Sequence, residues 1–224
     1  MTVAVAWSGG KDSAITLHEL LQDPDVTVDR VVTTINGDVD RVTIHGVRTG
    51  LVRAQADAAG LPLDVVALPG GLDGDGYAER MAALNDRLAR EGVTEVAFAD
   101  LHLEDVRAYR EATLAGGPLE GRWPLWGEAP ADVAQRFLED PRFAATVCCV
   151  DPGQIDADLV GRPLDAGFLD ALPSDADPCG ENGEYHSFVR RAPCFDEPVD
   201  VAVGERVRRA TEEGELVYVD LLPD

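Results

Sequence analysis

The sequence predicts an α/β protein: a parallel sheet covered by helices, followed by a smaller α+β part. Three observations carry this. Short apolar runs alternate with helix-period segments through the first half of the chain. The first run, Val3 to Trp7, is continuously apolar, as expected of a strand buried on both faces. After "GGPLEGRWPLWGEAP" the alternation gives way to a helix, a strand, a further helix and a series of short strands between turns.

The elements follow in order. "DSAITLHELLQ" places Ile15, Leu17, Leu20 and Leu21 at helical spacing after the first strand. "DRVVTTIN" is a second strand, and "VRTGLVRAQADAAG" is a helix stopped by Gly60. "LDVVAL" is a third strand, "YAERMAALNDRLAREG" a helix closed by Gly92, "TEVAFAD" a fourth strand and "LEDVRAYREATLA" a helix ending at Gly116 and Gly117. Strand–helix alternation of this kind implies parallel strands joined by crossovers, with ligands bound beyond their carboxyl ends. In the second part, "ADVAQRFLED" and "LDAGFLDAL" read as helices, and "FAATVCCVD", "EYHSFVR", "PVDVAV" and "ELVYVDLL" as strands. The expected division is residues 1–120 and 121–224.

Composition narrows the function classes. The chain has 224 residues, 45% of them hydrophobic, which is enough for a real core. Its net charge of −23 repels phosphate backbones, so nucleic acid is not the expected partner. "MTVAVAWSGG" has no basic segment before its apolar run and reads as a strand, not a signal peptide. No apolar run approaches the ~20 residues of a membrane span, so a cytoplasmic location is expected. The four cysteines, Cys148, Cys149, Cys179 and Cys194, form no CxxC pair and suggest small apolar residues in a reducing compartment.

Arginine supplies every other long basic side chain, yet one lysine, Lys11, stands in "AWSGGKDSAI" between a buried strand and a helix. Gly9 and Gly10 let the backbone turn sharply and approach a ligand. Free N–H groups at a helix start favour an anion. Ser8 and Ser13 add hydroxyl donors, Lys11 adds a point charge suited to phosphate, and Asp12 could hold Mg²⁺ or cap the helix. A Walker A loop is excluded, because no glycine stands at the required spacing and aspartate follows the lysine.

A second stretch, "CGENGEYHSFV", sets Glu181, Glu184 and His186 within six positions, with glycines at 180 and 183. A glycine-rich turn entering a strand can aim two carboxylates and an imidazole at one point, to bind ammonium or take protons from ammonia. The same residues could also form a polar hairpin turn with exposed acids.

"SGGKDS" resembles the SGGxDS loop of the PP-loop N-type ATP pyrophosphatases, whose fold is HUP-like (adenine nucleotide alpha-hydrolase-like). "GENGEYHSF" followed by "P-C-F" resembles the C-terminal signature of the diphthine–ammonia ligase family. "IHGVRTGLVRAQADAAGLPL", "ADLHLEDVRAYRE" and "WPLWG" resemble further segments of that family, in order along nearly the whole chain.

The resemblance implies an ATP-dependent ligase of diphthamide synthesis. ATP, with Mg²⁺, adenylates the carboxylate of diphthine on elongation factor 2, and ammonia then forms the amide, releasing AMP and pyrophosphate. It implies that Ser8, Gly9, Gly10, Lys11, Asp12 and Ser13 hold the phosphates. It places backbone around Thr34 at adenine, and His45 and Gly46 on the nucleotide side of the cleft. It places Asp100 and Glu104 at the reacting centre, with Glu181, Glu184 and His186 toward ammonia.

Leu103, Val106 and Tyr109 replace the family's serine, glutamine and second arginine, as in a bacterial-like branch, where the acceptor carboxylate is open. No glutaminase segment is visible, so free ammonium is the expected nitrogen source. The alternatives are a PP-loop tRNA-modifying enzyme and a nucleotide-binding regulator without turnover. His18 and His102 are read as structural, and Trp123 and Trp126 as packing at the seam between the two parts.

Overall fold

Every residue of β1 (Thr2–Ala6) is short and aliphatic or β-branched, and its three central residues are buried. It therefore occupies the middle of a parallel sheet. The computed structural model describes residues 1–72, 74–210 and 214–224. β2 (Thr27–Asn36) and β5 (Glu95–Ala97) pair with β1 on either side, β4 (Leu63–Leu68) lies outside β2, and β6 (Glu120–Arg122) lies outside β5, all parallel. α1 (Lys11–Gln22) and α2 (Thr49–Ala58) cover one face, and α3 (Gly74–Arg90) and α4 (Glu104–Leu114) cover the other. Alternation along β1 divides the two cores: Val3 and Val5 join the first, Ala4 the second.

β2 outruns β1, which stops at the level of Val32. The two-residue β3 (Arg41–Val42) pairs antiparallel with Ile35 and Asn36, whose other edge is already taken by β4. It therefore stands where β1 has ended. The turn after β3, residues 43–46, is thereby carried over the loop that leaves β1.

The rest of the chain builds an antiparallel sheet in the order β8 (Tyr185–Arg191), β7 (Ala144–Val150), β10 (Glu215–Pro223) and β9 (Val201–Ala210). With α5 (Pro130–Glu139) and the short α6 (Ala166–Leu169) it packs on the α1–α2 side, and the first core runs on into it without a break. Among the described residues no helix is long and apolar enough to cross a membrane.

Several expectations shift. Residues 120–122 are a strand of the parallel sheet, so the expected division at 120–121 falls inside β6. A three-residue strand has no readable period, and here it lies among glycines and prolines. The helix expected over "LDAGFLDAL" is one turn, capped by Asp165, which accepts from Phe168 N–H at 2.9 Å. β9 runs through the polar "GERVRRA", because an edge strand needs only its ladder with β10 and leaves most side chains in water. Cys148 and Cys149 lie buried on β7, whereas Cys179 and Cys194 lie outside the strands, and all four thiols are free.

Candidate active site

The loop after β1 is fixed from behind. Gly9 takes φ +81, and a Cβ there would stand 2.5 Å from Gln55 Oε1. Its carbonyl accepts from Val189 N–H at 2.9 Å and from Gln55 Nε2 at 3.0 Å. Gln55 is fully buried on α2; its Nε2 also donates to Val189 O at 2.6 Å, and its Oε1 accepts from Trp7 Nε1 at 3.1 Å. Gln55 went unnoticed in the sequence. Its signal was a polar residue on the apolar stripe of Leu51, Val52 and Ala56.

The front of the loop is open. α1 starts at Lys11, one residue before the segment "DSAITLHELLQ", and its N-cap is Gly10, which contributes no capping side chain. Asp12 therefore lies within the first turn and is not the cap. Gly10 N–H donates to Ser8 Oγ at 3.2 Å, Ser13 Oγ donates to Gly10 O at 2.9 Å, and Lys11 N–H donates to Ser187 Oγ at 3.1 Å. A side chain at Gly10 would press on Ser187 O and His45 Nε2, at 3.2 and 3.3 Å.

Lys11 is 2% exposed. Its ammonium donates to both carboxylate oxygens of Asp12, at 2.9 and 2.8 Å, and to the carbonyl of Cys179. Burial opposes its charge, but the Asp12 carboxylate outweighs that and holds the ammonium well above the usual lysine range. The lysine thus joins the first motif to the turn that opens the second.

That turn divides its two glutamates. Glu184 accepts from Asp177 N–H at 2.8 Å, Asn182 N–H at 3.0 Å and Asn182 Nδ2 at 3.2 Å. It braces the turn from inside and does not line the cavity described below. Glu181 does line it, and accepts from Leu101 N–H at 3.1 Å. Burial and the nearby Asp12 carboxylate push its carboxyl up to about 7, against the opposing hydrogen bond from Leu101.

His186, on β8, and His45, after β3, have ring centroids 4.5 Å apart. Burial holds both neutral: His45 falls to about 4, also disfavoured by Lys11, and His186 falls well below the usual histidine range. Two uncharged imidazoles can thus stand beside a buried ammonium.

These groups meet in one cavity of about 560 Å³ at the carboxyl ends of β1, β2 and β5. Ser8, Gly10, Lys11, Asp12 and Ser13 form one wall. Thr34, His45, Asp100, Glu181 and His186 also border it. Gly9 lies behind the loop, and Gly46 faces away: a Cβ there would meet the Tyr218 ring at 2.5 Å. Glu104 is exposed on the first turn of α4, outside the cavity, because that turn carries it toward solvent.

Asp100 is held by Arg110, at 2.7 and 3.0 Å, and by Trp123 Nε1 at 3.3 Å. Arg110 also borders the cavity, and nothing in the sequence had marked it. Arg107 lies between the rings of Trp123 and Trp126, at 4.7 and 4.6 Å, and Trp123 stacks on Phe98. The tryptophans are therefore packing residues, and Trp123 also steadies Asp100. His102 has a partner, Asp177 Oδ2 at 3.0 Å, whereas His18 packs edge-on against Phe143.

Residues 1–113 match the model of the diphthamide synthase N-terminal domain, and residues 129–217 match that of the diphthamide synthase C-terminal domain. The chain belongs to the diphthamide synthase, or diphthine–ammonia ligase, family. The two matches cover most of the sequence, and the N-terminal one agrees with an HUP-like sheet. No curated protein matches the chain at a significant level.

In this member of the diphthamide synthase family, Lys11, neutral imidazoles and a carboxyl poised near neutrality share one enclosure. That combination suits stabilising a charged leaving group and accepting a proton in the same place. Among the described residues no group of three or more His, Cys, Asp or Glu is placed to hold a metal, and both oxygens of Asp12 face Lys11. The donor set therefore suits a Mg²⁺ carried mainly by phosphate oxygens and water, not one caged by protein.

Proposed function

We propose that the chain is an ATP-dependent amide ligase. It adenylates a carboxylate with loss of pyrophosphate, then amidates it with ammonia and releases AMP. The observation that carries this is the shared cavity of Lys11 and Glu181, which joins a phosphate-type loop to a proton acceptor.

The loop of Ser8–Ser13 holds the triphosphate, with Lys11 the fixed positive charge facing the departing pyrophosphate. Mg²⁺ bound with the nucleotide supplies further charge neutralisation, and Asp12 is the loop's own candidate contact to it. The carboxylate oxygen attacks the α-phosphorus and the α–β bridge breaks. Ammonia then attacks the acyl carbon and AMP departs. Ammonia must lose a proton as the amide forms, and Glu181 accepts it. Its carboxyl is half-ionised near neutral pH, which suits both taking and releasing a proton. Neutral His45 and His186 complete the wall without adding charge that would compete with Lys11 for anions.

Family membership makes diphthine on elongation factor 2 the reference acceptor. Leu103, Val106 and Tyr109 alter the helix at the rim, and Tyr109 is 52% exposed there. An acceptor other than diphthine fits those changes. The test is ³¹P NMR of a reaction containing ATP, ammonium and carboxylate acceptors, diphthine-bearing elongation factor 2 among them. Formation of AMP and pyrophosphate with the amide supports the proposal; ADP and phosphate refute it.

A further inference from the structure

The α3–α4 side of the cavity contains a polar group that the chemistry above leaves unused. Asn85, on α3, is 7% exposed and lines the cavity. No hydrogen bond within the protein engages its side-chain amide among the described residues, and that amide, with two donors and an acceptor, is not one of the fully buried unpaired groups, so it is open to the cavity. An amide at a cavity wall that no protein group engages keeps its donors and acceptor free for a ligand.

The surroundings are apolar. Ala6 on β1, Val32 on β2 and Val96 on β5 form a floor, and Leu84, Leu88 and Leu114 form walls from α3 and α4. This slot runs down along the sheet, below the strand ends: Ala6 pairs with Val32, and Ala4 with Val96. β1 presents only alanines, Ala4 and Ala6, to this face, which leaves room between the helices and the sheet. The slot opens into the same cavity as Ser8 and Lys11.

We infer that Asn85 reads the base of the nucleotide whose phosphates meet the Ser8–Ser13 loop; the inference rests on the ATP reading above. A purine is flat and weakly polar on its faces, and carries a donor beside an acceptor on its edge. The slot supplies the complement: aliphatic walls for the faces, and one amide for the edge. Nδ2 donates to a ring nitrogen while Oδ1 accepts from the exocyclic amino group. Asparagine reads adenine through the same two-bond pairing in nucleic acids. Base selectivity then resides in a side chain of α3 as well as in backbone near Thr34.

The test compares nucleotide binding by calorimetry, without any acceptor, in the wild type and in Asn85→Leu. The probes are ATP, purine riboside triphosphate, which lacks the 6-amino group, and inorganic tripolyphosphate. The wild type should bind ATP about tenfold or more tighter than purine riboside triphosphate, the range expected for a met hydrogen-bonding edge. Asn85→Leu should lose that preference while binding tripolyphosphate as before. The variant without ligand should melt within a few degrees of the wild type, since no hydrogen bond within the protein is lost. A preference for ATP that survives in Asn85→Leu would overturn the inference and leave the ATP reading standing. So would a melting temperature several degrees lower, which would make Asn85 a structural residue. Failure of the wild type to bind either nucleoside triphosphate would overturn the ATP reading itself, and the inference with it.

Discussion

Val189 N–H donates to Gly9 O at 2.9 Å, so the strand that carries the second motif is hydrogen-bonded directly to the loop that carries the first. The two motifs stand 176 positions apart at Lys11 and Ser187, yet Lys11 N–H meets Ser187 Oγ as well. The candidate site therefore cannot form until both parts of the chain have folded together.

Gln55 completes that junction, with bonds to Trp7, Gly9 and Val189. Replacing it by leucine leaves a buried indole N–H unmet and removes a bond from each of two carbonyls, of which Gly9 O keeps Val189 N–H. At roughly 1–3 kcal/mol for each unmet group, the expected loss is about 2–4 kcal/mol after partial relaxation. Urea denaturation checks this. A loss under 0.5 kcal/mol, on the ~±0.5 kcal/mol scale of neutral surface changes, would show that the junction is held elsewhere.

Lys11→Met keeps the length and burial of the side chain and removes its charge. AMP formation should fall by about 10²–10³, the range for loss of one fixed donor to a developing charge. Circular dichroism should stay that of the wild type. Turnover within a few-fold of wild type would reduce the loop to a turn.

The pH dependence follows from Glu181. Its folded carboxyl lies near 7, raised first by burial. As a proton acceptor it must be ionised, so kcat at saturating ammonium should rise with pH and level off above about 7. Glu181→Gln should flatten the profile. The stability contribution has the opposite sign. A carboxyl whose pKa is raised by folding favours the native state at low pH, and that contribution declines as pH rises from the unfolded value through 7. A rate that falls across that window would assign the proton transfer to another group.

The turn that carries His45 is held from the last strand. Asp220 accepts from Arg41 Nη2 at 2.8 Å and Arg48 Nη2 at 2.6 Å, while Arg41 Nη1 donates to Gly46 O at 2.8 Å. Within the turn, Ile44 takes φ +65, a strained conformation for a β-branched residue. Asp220→Ala should let Ile44 relax and His45 move from Gly10. The expected result is a several-fold rise in KM for ATP with a stability loss of about 1 kcal/mol, since these pairs are partly solvated. Steady-state kinetics with varied ATP checks this, and an unchanged KM would separate the clamp from the site.

How much of this could be read from the chain depends on range. "SGGKDS" is legible because its glycines, serines and lysine act within six consecutive residues between a strand and a helix. The parallel sheet is legible where runs are long, as in β1, β2 and β4, and illegible in β3 and β6, which have two and three residues. Glu181 and Glu184 look alike in sequence. Only the path of the turn decides that Glu184 folds back onto Asn182 and Asp177 while Glu181 faces the cavity. Gly46 and Glu104 do not line the cavity for a similar reason: position near a strand end does not fix which way a turn points. Gln55, Arg110 and Asn85 act through partners far away in sequence, and a single chain gives little warning of them.

The central claim is that ATP is cleaved between its α and β phosphates by an acceptor carboxylate. Pyrophosphate–ATP exchange tests it most directly. Labelled pyrophosphate is supplied with ATP, Mg²⁺ and the acceptor, without ammonium. The account predicts label in ATP that depends on the acceptor and is lost in Lys11→Met. No label in ATP with any acceptor, or label that is the same without the acceptor, would contradict it.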